Sequence, residues 1–316
     1  MRVAILDVGS HSIQLLVSDV TAGTWTQVAA GERITRLAHG LTHAARFHPA
    51  AASRTLAALR LFAARARALG VDAFSVVGTR PFRMATDAAD LVARVEAAVG
   101  APLEILSGSR EAELGFAGAV VGLGCTRGPV LTIDIGGGST EIVCGEDGRI
   151  VERTSLPIGA VVLTQRHLAH DPPSAAEIDA LRAAVAAILG DVPPLRRWRE
   201  TGGGPFIGSG GTVTTLGAMA ARLECYRPEL VHGARLMPET LQALCAELAA
   251  RTVAERCAMP GLDPDRAPVI LAGAVVAAAA VAAAAADGLV VSDQGLQHGL
   301  LAMRLGHLSS DRSGPR

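Results

Sequence analysis

The stretch VLTIDIGGGSTEIVC, residues 130–144, predicts two strands joined by a glycine turn, because an apolar run reaches Asp134 and a second β-rich run follows the glycines. Successive glycines permit positive φ angles and present bare N–H groups to an anion, to which serine and threonine add hydroxyl donors. Asp134 and Glu141 bracket the turn, as two acidic ligands for a hard divalent cation would. The predicted phosphate loop comprises Gly136, Gly137, Gly138, Ser139 and Thr140. An ordinary hairpin is the alternative.

The N-terminal segment, residues 2–20, repeats this pattern as RVAILDVGSHSIQLLVSDV. When Asp7 is aligned with Asp134, the turn residues Gly9 and Ser12 match Gly136 and Ser139, and Gln14 matches Glu141. Two copies of a strand, turn and strand predict a duplicated domain with two phosphate loops facing each other across a cleft. A chance likeness between two hairpins is disfavoured by the shared D-[VI]-G-x-x-S. The first predicted loop comprises Gly9, Ser10, His11 and Ser12.

Composition bounds the possible functions. The chain has 316 residues, half of them apolar, which is enough for two domains with their own cores. A formal charge of −1 provides no general attraction to nucleic acid, so no DNA partner is expected. All 29 basic residues are arginines, which excludes the lysine-dependent P-loop and Schiff-base enzymes. The chain contains no asparagine either.

The cysteines and apolar segments bear on the compartment. Five cysteines are scattered without a CxxC spacing, which favours buried thiols in a reducing cytoplasm over zinc or disulfides. The apolar N-terminal run is too short for a signal peptide. Residues 269–286 are long enough to span a membrane, but their many alanines predict a tightly packed internal helix instead. We therefore expect a cytoplasmic protein without a membrane partner.

Further elements follow from hydrophobic periodicity. A third glycine turn, GSGGTVTTL, opens a helix and predicts an anion-binding N-terminus at Gly210, Gly211 and Thr212, although tight helix packing explains these glycines equally well. Ser174 and Glu177 predict a capping box. Helices are predicted at residues 53–69, 85–99, 107–121, 238–257, 265–286 and 294–305, and a loop at residues 193–204.

Several polar residues have competing interpretations. His39, His43 and His48 lack interleaved acidic or cysteine partners, so we expect surface histidines and no metal site. Arg80 and Arg83 end a predicted strand and could bind phosphate oxygens, or one or both could be solvated. Glu111 and Glu113 lie in the first turns of a predicted helix, where carboxylates are favourable without any further role.

Taken together, these motifs resemble the Ppx/GppA phosphatase family, the exopolyphosphatases and guanosine pentaphosphate phosphohydrolases. The resemblance covers nearly the whole chain, and IDIGGGSTE is its most specific motif. The supporting motifs are LDVGSHSIQLLV, GTRPFRMATD, ILSGSREAEL, SLPIGAVVLT, IGSGGTVTTL, RAPVILAGA and VSDQGLQHGL. The family implies an α/β fold of two RNase H-like domains, of the actin, Hsp70 and sugar-kinase type, flanking a cleft.

The resemblance also implies roles for individual residues. Asp134, Glu141 and Asp7 are expected to hold Mg²⁺ or Mn²⁺, Glu111 to activate water, and Arg83 to contact phosphate, alongside the glycine loops. The expected domains are residues 1–124 and 125–316, divided in the loop at residues 122–128, and the closing helix at about 294–306 could pack back on the first domain. A homodimer is expected. Because longer members carry C-terminal helical domains that extend the polyphosphate track, this chain resembles a short form.

Some positions depart from the family pattern. His11 and Asp87 stand where asparagine is usual or frequent, in keeping with the composition. Arg110 and Glu113 stand where Glu and Arg are common, and Gln297 replaces a usual arginine, which puts substrate choice and turnover in question. The expected activity is exopolyphosphatase, with short chains preferred. The alternatives are a pppGpp phosphohydrolase, a sugar kinase, and a non-catalytic sensor of polyphosphate or (p)ppGpp.

Overall fold

The structure, a computed structural model, describes residues 1–307 apart from the side chains of Thr42 and His43. Its contacts divide these residues into two compact units. Unit 1 comprises Met1–Glu111 with Arg304–His307, and unit 2 comprises Ala112–Met303. The domain boundary predicted after residue 124 stays a prediction.

Unit 1 contains a five-stranded mixed sheet in the order β3-β2-β1-β4-β5. Strands β1, β2 and β3 form an antiparallel meander, and β4 and β5 continue the sheet in parallel. The strands are β1 (Arg2–Val8), β2 (Ser12–Thr21), β3 (Thr24–Ile34), β4 (Ala73–Gly78) and β5 (Leu103–Ile105). The helices are α1 (Leu41–Ala44), α2 (Pro49–Ala68), α3 (Arg80–Met84) and α4 (Ala88–Val99).

The core of unit 1 lies between this sheet and helices α2 and α4. The helical periodicity of α2 places Leu56, Leu59 and Phe62 on the buried face, as its sequence predicts. The helix begins a few residues before the predicted start, because His48 caps it by accepting the Ala50 N–H at 3.2 Å. His39 and His48 are both exposed, whereas His43 lies outside the described side chains.

Unit 2 contains a six-stranded sheet in the order β10-β11-β9-β6-β7-β8. The strands are β6 (Pro129–Ile135), β7 (Thr140–Glu146), β8 (Arg149–Leu156), β9 (Phe206–Ser209), β10 (Arg235–Leu236) and β11 (Leu289–Val291). Helix α5 (Gly108–Gly122) starts in the last residues of unit 1 and continues into unit 2. The other helices are α6 (Ala160–His167), α7 (Ala175–Leu189), α8 (Pro193–Glu200), α9 (Gly210–Ala220), α10 (Pro228–Val231), α11 (Pro238–Ala249), α12 (Val253–Arg256), α13 (Ile270–Ala284) and α14 (Leu296–Arg304).

One loop prediction and two helix predictions for unit 2 need correction. The loop expected at residues 193–204 contains α8, which buries Leu195 and Trp198 on one face. The helix expected at residues 238–257 is divided into α11 and α12, because Thr252 and Glu255 form a capping box that starts a new helix. The helix expected from residue 265 starts at Ile270, after a short 3-10 turn at Pro264–Arg266. The capping box of Ser174 and Glu177 is confirmed.

Helix α13 forms the centre of the unit 2 core. Eleven of its fifteen residues are buried, and it packs against α6, α7, α8, α9 and α11. Small side chains let five neighbouring helices approach a single one. Within residues 1–307, no helix is both long and apolar enough to cross a membrane.

The central strands of the two sheets are connected in the same way. In unit 1 the β1–β2 hairpin pairs Asp7 with Gln14, and in unit 2 the β6–β7 hairpin pairs Asp134 with Glu141. Each first strand also has a parallel neighbour, β4 in unit 1 and β9 in unit 2. The duplication predicted from the sequence is therefore present, and each unit is an α/β domain of the RNase H-like type.

Candidate active site

The loop between β1 and β2 forms a narrow turn in unit 1. The Gly9 N–H donates to the Ser12 carbonyl at 3.0 Å, and Ser10 and His11 are buried. The backbone of residues 35–38 covers this turn: Thr35 N–H and Arg36 N–H both donate to the His11 carbonyl, at 2.9 and 2.8 Å. The first predicted phosphate loop is thus held in place by the segment that follows β3.

The second loop, between β6 and β7, repeats the same turn. The Gly136 N–H donates to the Ser139 carbonyl at 3.0 Å. None of Gly136, Gly137 and Gly138 has a positive φ, so the expectation that this turn uses that region is wrong, and Gly9 has no positive φ either. Glycine is favoured because a Cβ would lie only 3.2 Å from the carbonyl oxygen across each turn.

Helix α6 covers the second loop. The Ala160 N–H donates to the Gly136 carbonyl at 3.0 Å, and the Val161 N–H donates to the Gly137 carbonyl at 2.9 Å. The hydroxyl of Thr140 donates to the Ile158 carbonyl at 2.9 Å in a buried position. The Thr140 hydroxyl therefore positions the loop, and Ser139 is the hydroxyl residue at the turn itself.

Two carboxylates stand opposite each other beside this loop. Asp134 and Glu141 are direct cross-strand partners, so their side chains project from the same face of the hairpin. Each carboxylate accepts from a serine: the Ser209 hydroxyl donates to Asp134 Oδ2 at 2.9 Å, and the Ser155 hydroxyl donates to Glu141 Oε1 at 2.7 Å. Both serines were missed by the sequence analysis, although Ser209 directly precedes the third glycine turn.

The surroundings of Asp134 are formed by glycines from three separate segments. A Cβ at Gly210 would collide with Asp134 Oδ1, and a Cβ at Gly115 or Gly295 would lie 3.6 Å from Oδ2. Burial raises the pKa of the Asp134 carboxyl, and the Ser209 hydrogen bond opposes that rise. Glycines here keep the space around the carboxylate free of side-chain atoms.

These residues fit a hydrated magnesium ion. Mg²⁺ commonly binds through one or two carboxylates and completes its shell with water and phosphate oxygens. Asp134 and Glu141 supply two such carboxylates, and the glycines leave room beside Asp134. Among the residues that the structure describes, no group of three or more His, Cys, Asp or Glu side chains could hold a metal by itself. A metal ion bound here would therefore complete its shell with water and substrate oxygens.

The third glycine turn begins α9 beside Asp134. Gly210 has a φ of +85°, which favours glycine on conformational grounds. A Cβ on Gly211 would collide with the guanidinium of Arg266, which is only 9 % exposed and lies over the start of the helix. Thr212 packs against Gly273 of α13. Close packing therefore explains part of this motif, and Arg266 is a neighbour that the sequence analysis did not identify.

In unit 1, Glu111, the residue predicted to activate water, pairs with Arg83, the residue predicted to contact phosphate. Glu111, in the first turn of α5, forms an ion pair with Arg83 of α3, and Arg83 also donates to the Leu106 carbonyl. The Glu111 side chain is 9 % exposed and that of Arg83 is 25 % exposed. A guanidinium beside the carboxylate orients it through a charge-assisted contact.

The neighbouring glutamate of α5 points elsewhere. Glu113 forms an ion pair with Arg153 of β8 at 3.3 Å. Side chains two residues apart on a helix point in directions that differ by about 200°. This accounts for the separate partners of Glu111 and Glu113. The glutamate at position 113, which departs from the family pattern, is thus paired with Arg153 of β8.

Comparison with known proteins agrees with these features. A model of the Ppx/GppA phosphatase family matches residues 16–307. Exopolyphosphatase 2 of Mycobacterium tuberculosis is 36% identical over 288 residues, which cover 87% of this chain and 88% of that protein. A guanosine-5'-triphosphate,3'-diphosphate pyrophosphatase of Aeromonas hydrophila is 30% identical over 305 residues, covering 96% of this chain and 59% of that protein.

Solved structures agree as well. The crystal structure of the Aquifex aeolicus member of the Ppx/GppA family superposes with a TM-score of 0.80 at 29% identity, covering 98% of this chain and 99% of that one. The structure of an exopolyphosphatase from Cytophaga hutchinsonii, at 24% identity and a TM-score of 0.88 over 98% of this chain and 99% of that one, has the same fold. From the family match over most of its length and its identity to these relatives, the chain belongs to the Ppx/GppA phosphatase family.

Proposed function

We propose that this protein is an exopolyphosphatase, which hydrolyses the terminal phosphoanhydride of inorganic polyphosphate and releases orthophosphate. Its family membership makes it a hydrolase of phosphoric anhydrides. The observation that carries the proposal is the carboxylate pair Asp134 and Glu141 beside a glycine turn, in space kept free by Gly210. The relatives named exopolyphosphatase, at 36% identity, favour polyphosphate as the substrate.

The metal is assigned to unit 2. Asp134 and Glu141 would hold Mg²⁺ or Mn²⁺, with Asp7 as a further expected ligand. A bound divalent cation supplies charge neutralisation for the phosphate oxygens and the leaving group. Ser209 and Ser155 orient the two carboxylates, as outer-shell hydrogen bonds do in metal sites. The backbone N–H groups and hydroxyls of the glycine loops would hold the other phosphate oxygens.

Water activation is assigned to Glu111. Its carboxylate would take a proton from the attacking water as the water oxygen bonds to the terminal phosphorus, and the bond from that phosphorus to the bridging oxygen breaks. Arg83 holds Glu111 in position before substrate arrives. The same guanidinium can turn part of its five N–H donors to a phosphate oxygen, so Arg83 would link substrate binding to the base.

Two alternative functions use the same residues. Guanosine pentaphosphate hydrolysis is favoured by the Aeromonas relative, whose name describes that type of substrate. Binding without turnover is favoured by the changed residues Arg110, Glu113 and Gln297, which alter charges in motifs of the family. The ion pair between Glu113 and Arg153 shows that one changed charge is accommodated within unit 2, which favours an active enzyme over a sensor.

The deciding experiment is phosphate release measured side by side from tripolyphosphate, longer polyphosphates, pppGpp and ATP, each with Mg²⁺, with Mn²⁺ and with EDTA. We expect release that depends on the metal and a preference for short polyphosphate over very long chains. Undiminished release in EDTA would remove the metal assignment. Preference for pppGpp would select the first alternative, and tight binding without any release would select the sensor. A homodimer and a cytoplasmic location stay predictions.

A further inference from the structure

The segment from the end of β3 to residue 71 has arginines but no acidic residues of its own. Residues 33–71 contain no aspartate or glutamate. The same residues contain seven arginines, at positions 33, 36, 46, 54, 60, 65 and 67. All seven are exposed, in a protein whose formal charge is −1. This imbalance is local, so it indicates a surface on unit 1 that attracts anions.

Two of these arginines lie in line along one side of α2. Arg54 and Arg65 are eleven residues apart, which is within about 20° of three full helical turns and about 16 Å along the axis. Both reach the backbone along and just beyond strand β3: Arg54 Nε and Nη2 donate to the Thr35 carbonyl at 3.2 and 3.1 Å, and Arg65 Nη1 donates to the Ala30 carbonyl at 3.3 Å.

Arg33 lies on the same side of β3. Gly31 faces α2, because a Cβ there would lie 3.3 Å from Arg65 and from Phe62. Arg33, two residues further along the strand, shares that face. Glu32, the neighbouring acidic residue, projects from the opposite face. Within the described part of the chain, the Arg33 side chain has no ion pair or hydrogen bond.

The line of arginines begins at the first phosphate loop. Arg36 follows β3, and its N–H donates to the His11 carbonyl at 2.8 Å. The adjacent Thr35 carbonyl accepts from Arg54. We call Arg36, Arg54, Arg33 and Arg65 together the arginine row. Arg46 and Arg67 are not members, because Arg46 pairs with Asp87 at 3.6 Å and Arg67 packs over the ring of Phe74.

We propose that the arginine row is a binding surface for a linear polyphosphate chain, continuing from the first phosphate loop along β3 and α2. This inference rests on the proposed function, because it takes the bound end of the same substrate to lie at that loop. Guanidinium groups with five N–H donors suit phosphate oxygens, and Arg54 and Arg65 are already oriented by their carbonyl partners.

The lack of exposed aromatic residues favours polyphosphate over nucleic acid. Single-stranded nucleic acids gain much of their affinity from bases stacking on aromatic side chains. The aromatic residues of types Phe, Tyr and Trp between positions 33 and 71 are Phe47 and Phe62, and both are buried. The row therefore offers charge without stacking, which matches a polyanion that has no bases.

The test is binding in EDTA, where turnover is blocked, of tripolyphosphate, a polyphosphate of about 20 units and an RNA of equal charge, at several salt concentrations. We expect the double variant R33Q/R65Q to lose about tenfold affinity for the long polyphosphate and to reduce the slope of log K against log salt by about 1.4 to 1.8, since each of the two lost phosphate contacts contributes about 0.7 to 0.9. R33K/R65K should retain most of that slope.

Arg60→Gln is the matched control. Arg60 is an exposed arginine of the same helix, but it lies about 120–140° around the axis from Arg54 and Arg65. We expect Arg60→Gln to change affinity less than twofold. An equal effect of Arg60→Gln, or an equal loss for tripolyphosphate and the long chain in R33Q/R65Q, would overturn the proposal. An equal loss for the RNA would assign the surface to nucleic acid and also overturn it.

Phosphate release separates this proposal from the proposed function. If the protein releases no phosphate from any polyphosphate while R33Q/R65Q still lowers long-chain affinity selectively, the exopolyphosphatase assignment fails and the arginine row stands. If release is normal and the long chain binds R33Q/R65Q as well as the unchanged protein, the row fails and the enzyme assignment stands.

Discussion

The β1–β2 hairpin of unit 1 and the β6–β7 hairpin of unit 2 have the same backbone and different side chains. Both close with a hydrogen bond of 3.0 Å across the turn, and both have a register shift at the tenth and eleventh positions after the aspartate, at Val17/Ser18 and Cys144/Gly145. Asp7 faces Gln14, whereas Asp134 faces Glu141. The same backbone therefore places two carboxylates opposite each other beside the turn in unit 2, and a carboxylate opposite an amide in unit 1.

The strand beside each hairpin extends this difference. In β9 the residue paired with Asp134 is Ser209, which donates to its carboxylate, whereas in β4 the residue paired with Asp7 is Val77. The residue that follows is glycine in both cases: a Cβ on Gly210 would meet Asp134, but a Cβ on Gly78 would meet the ring of Phe82. The two hairpins share a framework, and a few differences in side chains place two carboxylates and a serine donor together in unit 2.

The largest effect on phosphate release is expected from replacing the equivalent aspartates of the two hairpins, Asp134 and Asp7. Asp134→Ala should reduce metal-dependent phosphate release to the level of a protein-free control, because it removes one of two opposed carboxylates. Asp7→Ala should cause a smaller loss, since Asp7 faces an amide. Initial rates at saturating Mg²⁺, with melting curves to verify folding, would measure both. A larger loss for Asp7→Ala would reverse our assignment of the metal to unit 2.

The next effect concerns the glutamates of α5. Glu111→Gln keeps the size of the side chain and removes its basicity, so turnover should fall by about 10²–10⁴-fold while polyphosphate still binds. Glu113→Gln should change turnover much less, because Glu113 pairs with Arg153. Single-turnover rates with a binding assay would separate the two steps. Full activity of Glu111→Gln would contradict the mechanism.

A third prediction concerns the glycines at equivalent positions in the two units, Gly210 and Gly78. Gly210→Ala should destabilise the protein by at least about 1 kcal/mol, because φ is +85° there, and should lower turnover about tenfold by displacing Asp134. Gly78→Ala would place its Cβ 2.7 Å from the Phe82 ring, so it should cost stability with little change in kcat. Denaturation curves and kcat for both variants test this. Equal kcat losses would show that packing alone explains the effect.

The smallest expected effect is on stability against pH. Burial, and to a lesser degree His232, lowers the pKa of His298 from the ordinary histidine value of 6.5 to about 4. Between these values the unfolded chain binds a proton that the folded protein does not, so stability should fall with falling pH, at most by about 1.4 kcal/mol per unit. His298→Gln should reduce this slope in urea unfolding at pH 4.5–7. An unchanged slope in His298→Gln would show that other titrating groups cause the pH dependence of stability.

The sequence predicted the repeated hairpins well because their information is local. Strand periodicity, the aspartates and the glycines all lie within about fifteen residues, and backbone sterics convert them directly into a turn. The capping box at Ser174 and Glu177 is equally local, and it is confirmed.

Contacts between distant segments could not be predicted in the same way. The glycines around Asp134 come from residues 115, 210 and 295, and the partner of Glu111 comes from α3. Nothing in a single sequence pairs such positions. Helix α8 was missed because Pro193, Pro194 and several arginines indicated a loop, whereas prolines in the first turn are compatible with a helix.

Helix α13 has a consequence for how unit 2 becomes ordered. Nine of its fifteen residues are alanines, which have no side-chain rotamers to lose, so ordering these positions costs almost no side-chain entropy. Leucines or methionines in the same place would each lose freedom that must be offset by packing. The alanines of α13 therefore contribute to the order of unit 2 through the backbone alone, since each of their side chains has only one arrangement to adopt.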